Sequence, residues 1–156
     1  MKSTETDVLD LLREHEFLAG LGETHFQALA PMTTVIEYAA DERINRAGDE
    51  ATAVYLVQDG HVGVEIRDPA RGKLEVQTLR SGDVFGWSSL IPPYRWTFDV
   101  VAYEATRVLA IDGRAFRHAM ETDHELGYQL LNRFTSVFAE RLRAARLQMV
   151  DLFEST

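Results

Sequence analysis

The order of hydrophobic and polar positions divides the chain into three parts. Between residues 6 and 30, apolar side chains recur every three or four positions, which predicts two short helices that end at Pro31. From about 33 to 111 the pattern changes to short runs of β-branched and aromatic residues, separated by turn-forming residues. Six to eight strands at this spacing, with no long helix between them, predict an antiparallel sandwich or barrel.

The last part of the chain is predicted to be helical. Asp112 or Gly113 begins a short helix, and Thr122 with Glu125 predicts a capping box at the start of a long helix that runs to about Phe153. The apolar residues of the long helix form a narrow seam, which consists of Leu131, Phe134, Phe138, Leu142, Ala145, Met149 and Leu152. About 30 residues span roughly 45 Å, which is longer than a small β domain can cover. We therefore predict a parallel homodimer through this helix; the alternative is a helix that folds back on its own barrel.

Composition limits the class of protein. The 156 residues suit one domain, and the absence of cysteine excludes disulfides, thiol catalysis and cysteine-based zinc sites. The net charge of -9 disfavours binding to nucleic acid or to an anionic membrane. There is no apolar run of about 18 residues and no signal-peptide pattern. We expect a cytoplasmic protein.

No catalytic or metal-binding constellation is visible. The five histidines are scattered and lack metal-ligand spacing; they are His15, His25, His61, His118 and His124. No phosphate-binding loop, nucleophile elbow or dinucleotide fingerprint occurs. The sequence therefore predicts no catalytic residues, no metal and no enzyme activity.

Residues 85–98, FGWSSLIPPYRWTF, contain both tryptophans of the chain. A strand that ends at Phe85-Gly86 and enters a helical turn leaves backbone N–H groups without partners, which favours an anion. Gly86 permits close approach of a ligand, and Ser88 and Ser89 supply amides and hydroxyls. A tight strand-to-helix turn without a ligand uses the same residue types. Both interpretations remain open at this point.

Three stretches together resemble the cyclic-nucleotide-binding domain, the effector domain of the catabolite activator protein, of protein kinase A regulatory subunits and of cyclic-nucleotide-gated channels. They are FLAGLGETHFQALA, AADERINRAGDEATAVYLVQDGHVGVEI and GDVFGWSSLIPPYRWTFDVVA. Asp41 stands where the family usually has glycine, and aspartate tolerates left-handed turns better than most residues. The last stretch looks like the family's phosphate-binding cassette.

The resemblance implies a single domain, 1–156, that is mainly β with flanking α-helices. Its centre is expected to be a double-stranded β-helix, that is, a jelly-roll-like β-roll. The expected divisions are N-terminal helices at 1–31, the β-roll at 32–111 with the cassette at 85–98, and C-terminal helices at 112–153. In the family's transcription regulators a DNA-binding helix-turn-helix would follow; residues 123–156 offer no basic surface for one, so we expect no DNA binding by this chain.

The cassette departs from the family pattern, which reads roughly F-G-E-x-A-L…P-R-x-A-x-V. In the family the glutamate accepts a hydrogen bond from the ribose 2′-hydroxyl, and the arginine pairs with the cyclic phosphate. In this sequence Trp87 stands at the glutamate position and Trp96 at the arginine position. Thr97 falls where many members have a serine or threonine that contacts the phosphate. Arg95 lies one position away, which in an extended segment directs it to the other face.

These features lead to two expectations of function. The first is a stand-alone regulatory sensor that binds a small effector and signals through the long helix. Its candidate ligand-binding residues are Phe85, Gly86, Trp87, Ser88, Ser89, Arg95, Trp96 and Thr97. The ligand would be a cyclic nucleotide or, as the two tryptophans favour, another small anionic or planar compound. The second is a ligand-free dimerisation or protein-interaction module whose pocket is filled by Trp87 and Trp96.

Overall fold

A computed structural model describes residues 5–154, with side chains from residue 8 onward. The N-terminal part consists of two α-helices, α1 (Glu5–Glu14) and α2 (Glu23–Leu29). Short 3₁₀ turns follow each of them, at Glu16–Leu18 and at Ala30–Met32. The prediction of two short helices before Pro31 is confirmed, although α2 ends at Leu29 and the second turn carries the chain past the proline.

Eight strands form the central part of the described chain. They are β1 (Thr33–Tyr38), β2 (Arg43–Asn45), β3 (Ala53–Asp59), β4 (His61–Asp68), β5 (Gly72–Arg80), β6 (Val84–Phe85), β7 (Asp99–Ala102) and β8 (Thr106–Asp112). They pair in two four-stranded sheets, with the orders β1-β8-β3-β6 and β2-β7-β4-β5. All of these pairings are antiparallel, so the prediction of an antiparallel β-roll is confirmed.

Strand β3 shows why the roll has two separate cores. Its alternating side chains point to opposite faces of the sheet. Val54 and Leu56 pack with the helices, whereas Tyr55 and Val57 pack between the two sheets. Because both faces of the strand are covered, residues 53–57 are all apolar and do not alternate with polar residues. The space between the sheets also holds Trp96, and this places one end of the cassette inside the roll.

The turn at Asp41 fits the family resemblance. Asp41 adopts a φ of 72°, in the left-handed region where glycine is common. Its amide donates a hydrogen bond to the Ala102 carbonyl at 2.7 Å. The expectation that aspartate accommodates this turn is confirmed.

Two helices complete the described chain, α3 (Gly113–Thr122) and α4 (His124–Glu154). Asp112 caps α3 by accepting a hydrogen bond from the Ala115 amide at 2.9 Å. The capping box predicted at Thr122 is wrong, because Thr122 is the last residue of α3 and its hydroxyl donates to the His118 carbonyl. Asp123 instead accepts a hydrogen bond from the Leu126 amide at 3.2 Å. The true cap therefore lies one residue later than the pattern indicated.

The apolar seam of α4 divides into two parts. Phe134 is buried, with its ring 5.0 Å from that of Phe17 and 6.3 Å from that of Phe116. Leu142 and Met149 lie further along the helix and are 53% and 57% exposed. Phe134 thus packs on the chain's own core, whereas Leu142 and Met149 leave apolar side chains at the surface. Within the described residues, α4 is too polar to cross a membrane, and none of the other helices is long and apolar enough to do so.

Both ring nitrogens of His15 form hydrogen bonds, and one of them joins the N-terminal segment to the roll. Its Nδ1 accepts a hydrogen bond from the Phe17 amide at 3.1 Å, and its Nε2 lies 2.8 Å from the Val57 carbonyl. A carbonyl only accepts, so Nε2 carries the proton and the ring is neutral. Burial lowers the pKa of His15 below its ordinary value.

The neutral His15 ring predicts that acid destabilises the fold. Between the unfolded-state pKa of about 6.5 and the lower folded-state pKa, the unfolded chain binds more protons, so the free energy of unfolding falls as the pH falls. His15→Asn keeps an acceptor for the Phe17 amide but does not titrate. When the pH falls from about 7 to about 5.5, we expect His15→Asn to lose less free energy of unfolding than the unmodified chain. Urea unfolding at the two pH values measures both losses. The exposed His118→Asn serves as the control; an equal loss in all three proteins would contradict the assignment.

Candidate functional site

The cassette begins with a left-handed turn. Strand β6 ends at Phe85, Gly86 adopts a φ of 92°, and a 3₁₀ turn covers Trp87–Leu90. A Cβ atom at Gly86 would lie 2.8 Å from the Ala53 carbonyl oxygen and 3.2 Å from Cη2 of Trp96. Glycine is therefore required at this position by both conformation and space.

Ser89 is fully buried and is used within the turn. Its amide and its hydroxyl both donate to the Gly86 carbonyl, at 3.1 Å and 3.0 Å. Arg117 on α3 donates a hydrogen bond to the Ser89 carbonyl and lies over the ring of Tyr94. The structure thus places Ser89 as a link between the cassette and α3.

Trp96 lies inside the roll. It is 6% exposed, and its ring centroid is 6.0 Å from that of Tyr55 and 6.3 Å from that of Phe85. The rings of Tyr55 and Phe85 are stacked at 4.8 Å, and burial raises the pKa of Tyr55. Backbone hydrogen bonds to Gly48 and Asp49, at 2.7 Å and 2.9 Å, hold Trp96 in place. This indole occupies part of the space between the sheets.

Trp87 is half-buried and faces α4. The ring of Phe138 meets it edge-on at a centroid distance of 5.2 Å, and the guanidinium carbon of Arg141 lies 4.6 Å from its centroid. Phe138 and Arg141 are three residues apart, so they lie on the same face of the helix. Trp87 therefore connects the cassette with the long helix.

A cavity of about 730 Å³ remains beside the two indoles. Its walls come from β4, β5, β7, the cassette and one face of α4. The lining residues of α4 are Arg141, Ala144, Ala145 and Gln148. Their spacing is that of one helix face, and the two alanines leave the space open. The volume lies within the range of about 300–1,000 Å³ that is usual for small-molecule sites.

The cavity wall is mostly apolar with a few polar groups. Polar lining residues are Gln77, Thr78, Ser88, Thr97 and Gln148. The ionisable residues of the lining are Glu75, which is exposed, and Arg141, which is half-buried. Burial lowers the pKa of Arg141 to about 10, so it remains cationic at neutral pH. This arrangement suits a small ligand with an apolar or planar body.

Six of the eight candidate residues from the sequence line this cavity, namely Phe85, Gly86, Trp87, Ser88, Trp96 and Thr97. Ser89 does not line it, because its polar groups point back to Gly86. Arg95 does not line it either; it is exposed, and its guanidinium donates to the Gly48 carbonyl at 3.3 Å. A left-handed turn at Tyr94, with a φ of 60°, precedes Arg95. An isolated antiparallel bridge then pairs Arg95 with Glu50.

Sequence reasoning missed the contribution of α4 to the cavity. Ala145 belongs to the predicted dimer seam, and Arg141 is not among the predicted site residues. Arg141, Ala144, Ala145 and Gln148 follow helical spacing with small residues at the centre, which marks one face of a helix but not what that face contacts. Only the tertiary fold shows that this face meets the cassette.

A second, more open cavity of about 520 Å³ lies between the cassette, α3 and α4. Trp87 lines both cavities, and Phe138 lines the second one. Among the residues that the structure describes, no group of three or more acidic or histidine side chains has the arrangement of a metal site.

The structure combines an antiparallel roll, a ligand-sized cavity and a long C-terminal helix that closes the cavity on one side. The family model for the cyclic nucleotide-binding domain matches residues 35–123, which is more than half of the chain. The chain belongs to the cyclic nucleotide-binding domain family.

Individual similarities agree with this assignment. A candidate cyclic nucleotide-binding protein from Geobacter metallireducens is 27% identical, with a TM-score of 0.75 over 91% of this chain and 99% of that chain. The regulatory domain of Toxoplasma gondii PKA, crystallised with cAMP, has a TM-score of 0.67 at 19% identity, over 82% of this chain and 49% of that chain. At that identity the likeness shows the fold alone.

A curated relative has a different overall size. Glutaminase 1 of Bradyrhizobium diazoefficiens is 27% identical over 145 residues. The alignment covers 93% of this chain, but this chain spans only 23% of that protein's length. The similarity is therefore to one module of the relative.

The close approach at Gly86 yields a testable prediction. Gly48 has nearly the same φ, 93°, but no atom lies within 4 Å of its would-be Cβ. Gly48→Ala should therefore cost only the left-handed conformation, about 1–2 kcal/mol. Gly86→Ala should cost about 1–3 kcal/mol more, because the new methyl group also overpacks the turn. Urea unfolding measures both values, and equal losses would show that the contacts at Gly86 are unimportant.

Proposed function

We propose that this domain is a regulatory sensor that holds a small ligand in the cavity beside Trp87 and Trp96. The observation that carries the proposal is the open cavity of about 730 Å³, which is lined by cassette residues on one side and by α4 on the other. A ligand in this position touches the cassette and the helix at once. Its binding free energy can therefore favour one position of α4 over another.

The two tryptophans favour a ligand other than a cyclic nucleotide. A bidentate contact between arginine and phosphate is among the stronger polar interactions in a closed pocket. Trp96 stands where the family resemblance places that arginine, and its buried ring cannot supply a charge. Aromatic walls instead stabilise a planar or apolar body, with each stacked contact worth about 1–3 kcal/mol. Because the Toxoplasma protein was crystallised with cAMP, cyclic nucleotides are included among the compounds to be tested.

The second candidate is a ligand-free interaction module. It is favoured by Trp96, whose ring is 6% exposed and packs with Tyr55 and Phe85 as a core residue would. In that case the remaining cavity binds no ligand, and the domain acts only through a surface of α4 that contacts another protein chain. One experiment separates the two candidates.

Ligand binding is tested by tryptophan fluorescence and calorimetry with cAMP, cGMP and a panel of planar metabolites. Because both tryptophans line the cavity, we expect a bound ligand to quench or shift their emission. Trp87→Phe and Trp96→Phe show which indole responds. Ala144→Leu narrows the cavity without changing its charge and should weaken binding by about tenfold or more, equivalent to about 1.4 kcal/mol or more.

Hydrogen exchange then reports on the helix. Binding should slow exchange in α4 around residues 138–148, where the helix meets the cassette and cavity. If no compound changes the fluorescence and none slows exchange, the ligand-free module is the correct interpretation. A bound ligand that is unaffected by Ala144→Leu would place the site elsewhere.

The exposed part of α4 supports a proposed homodimer. The helix has 31 residues, or roughly 46 Å at 1.5 Å per residue. Leu142 and Met149 are 53% and 57% exposed and lie seven positions apart, which is the repeat of a two-helix seam. A second copy of the same helix offers the same spacing, so it is the partner that we propose.

The dimer is tested by light scattering at micromolar concentration. Leu142→Asp combined with Met149→Asp should convert a dimer to a monomer, because two charges would be buried in the seam. Thr135→Asp adds a charge at an exposed position of the same helix and should leave the dimer intact. A monomeric unmodified chain at this concentration, or a dimer that tolerates both aspartates, would contradict the proposal.

A further inference from the structure

The cassette itself supplies no cationic side chain to the cavity. Trp87 and Trp96 line the cavity at the two positions where the family resemblance places charged residues. Arg95, the arginine of the cassette, is exposed and donates to the Gly48 carbonyl. A cation nevertheless lines the cavity, and it belongs to α4.

Arg141 reaches the cassette from the helix. Its Nη2 donates a hydrogen bond to the Val84 carbonyl at 2.5 Å, and its guanidinium lies over the indole of Trp87 at 4.6 Å. Val84 and Trp87 flank Phe85 and Gly86, so the guanidinium stands at the start of the cassette turn. Ser88 of the turn and Arg141 line the same cavity.

The charge of Arg141 is not neutralised by an ion pair. Among the described residues, each ion pair formed by an arginine or a lysine involves a residue other than Arg141. Burial lowers its pKa to about 10, although Asp83 and Glu140 act in the opposite direction. Arg117 on α3 also contacts the cassette, but it is held at the Ser89 carbonyl and lines the other cavity.

Arg141 also has donors to spare. A guanidinium carries five N–H donors in a planar fork, so the hydrogen bond to Val84 leaves others for a ligand. The contact with the Trp87 ring already fixes the orientation of the guanidinium group. A preoriented cation of this kind in a mostly apolar cavity is a site for an oxyanion, because charge-assisted hydrogen bonds are strongest where water is excluded.

We infer that Arg141 is the anion anchor of this cavity, and that the ligand is a small oxyanion with a planar, apolar body. The carboxylate or phosphate oxygens bind the guanidinium, while the body lies along Trp87 and the alanine face of α4. This inference rests on the proposed function and deepens it, since it names the ligand class. The charge that holds the ligand is then carried by the helix that responds to it.

The test uses three probes of nearly the same shape: naphthoate, naphthyl phosphate and the neutral naphthamide. Calorimetry measures their affinity for the unmodified chain, Arg141→Met, Arg141→Lys and the control Arg143→Met, which changes an exposed arginine on the same helix. We expect Arg141→Met to weaken binding of at least one anion by about 10- to 100-fold, the range for hydrogen bonds to charged groups. Binding of naphthamide should change by less than about threefold, and Arg143→Met should have no effect.

The two anions distinguish the source of the oxyanion. Tighter binding of naphthyl phosphate supports a phosphate ester, and tighter binding of naphthoate supports a carboxylate. Arg141→Lys keeps the charge without the fork and should give intermediate affinity for the preferred anion. If Arg141→Met fails to fold by circular dichroism, Arg141→Gln, which removes the charge and keeps a polar side chain, decides the question, and unchanged anion affinity in it would overturn the inference.

Further outcomes separate this inference from the proposed function. If naphthamide loses as much affinity as the anions in Arg141→Met, the side chain acts by packing, and the anchor is refuted while the sensor stands. If the anions bind Arg141→Met as tightly as the unmodified chain, the anchor is likewise refuted and the sensor stands. If none of the three probes binds the unmodified chain, the anchor is refuted, and the sensor is then judged on the metabolite panel alone.

Discussion

The indole of Trp87 lies between the cassette and α4, with Phe138 edge-on at 5.2 Å and Arg141 over its face at 4.6 Å. An aromatic pair of this kind contributes about 0.5–1.5 kcal/mol, and a cation–π contact about 0.5–2 kcal/mol. These contacts are modest beside the burial of Phe134, which fixes the first part of the helix in the core. The position of α4 beyond Phe138 therefore depends on a small balance of contacts at Trp87. A ligand would shift this balance only by as much as its affinities for two positions of the helix differ.

Replacing charged cassette residues with indoles changes what the site requires of a ligand. A buried charge must be paired, and an unpaired one carries a large desolvation cost. Indoles avoid that cost because they are uncharged. The ring of Trp96 is buried against Tyr55 and Phe85, as an apolar core residue would be. The single half-buried cation of the lining, Arg141, is instead stabilised by the Val84 carbonyl and the face of Trp87.

The sequence predicted the architecture well because its main elements are long and periodic. Strand β3 and strand β8 are apolar runs bounded by turns, and α4 has an uninterrupted helical pattern. Strands β2 and β6 have three and two residues, which is too short for a period to be recognised. The capping box failed for a related reason, since Thr122 and Asp123 are both good caps and only the hydrogen bond of the Leu126 amide distinguishes them.

The candidate site was predictable only where it is local in sequence. Residues 85–88 follow from the strand-to-turn pattern, and they line the cavity. The direction of Arg95 depends on the left-handed turn at Tyr94, which residue preferences disfavour. The location of Arg141 at the cavity depends on how α4 crosses the cassette, and this crossing is a property of the tertiary packing. No local pattern at Arg141 contains that information.

The proposed ligand contact and the proposed dimer contact meet in one turn of α4. Arg141 and Leu142 are consecutive, so their side chains project about 100° apart around the helix. Ala145 and Gln148 continue the face of Arg141 along the cavity, whereas Met149 continues the face of Leu142. A rotation of the helix that draws Arg141 toward an anion therefore also turns Leu142 relative to a second copy. Coupling between ligand and dimer needs no additional element, because a single rigid helix carries both faces.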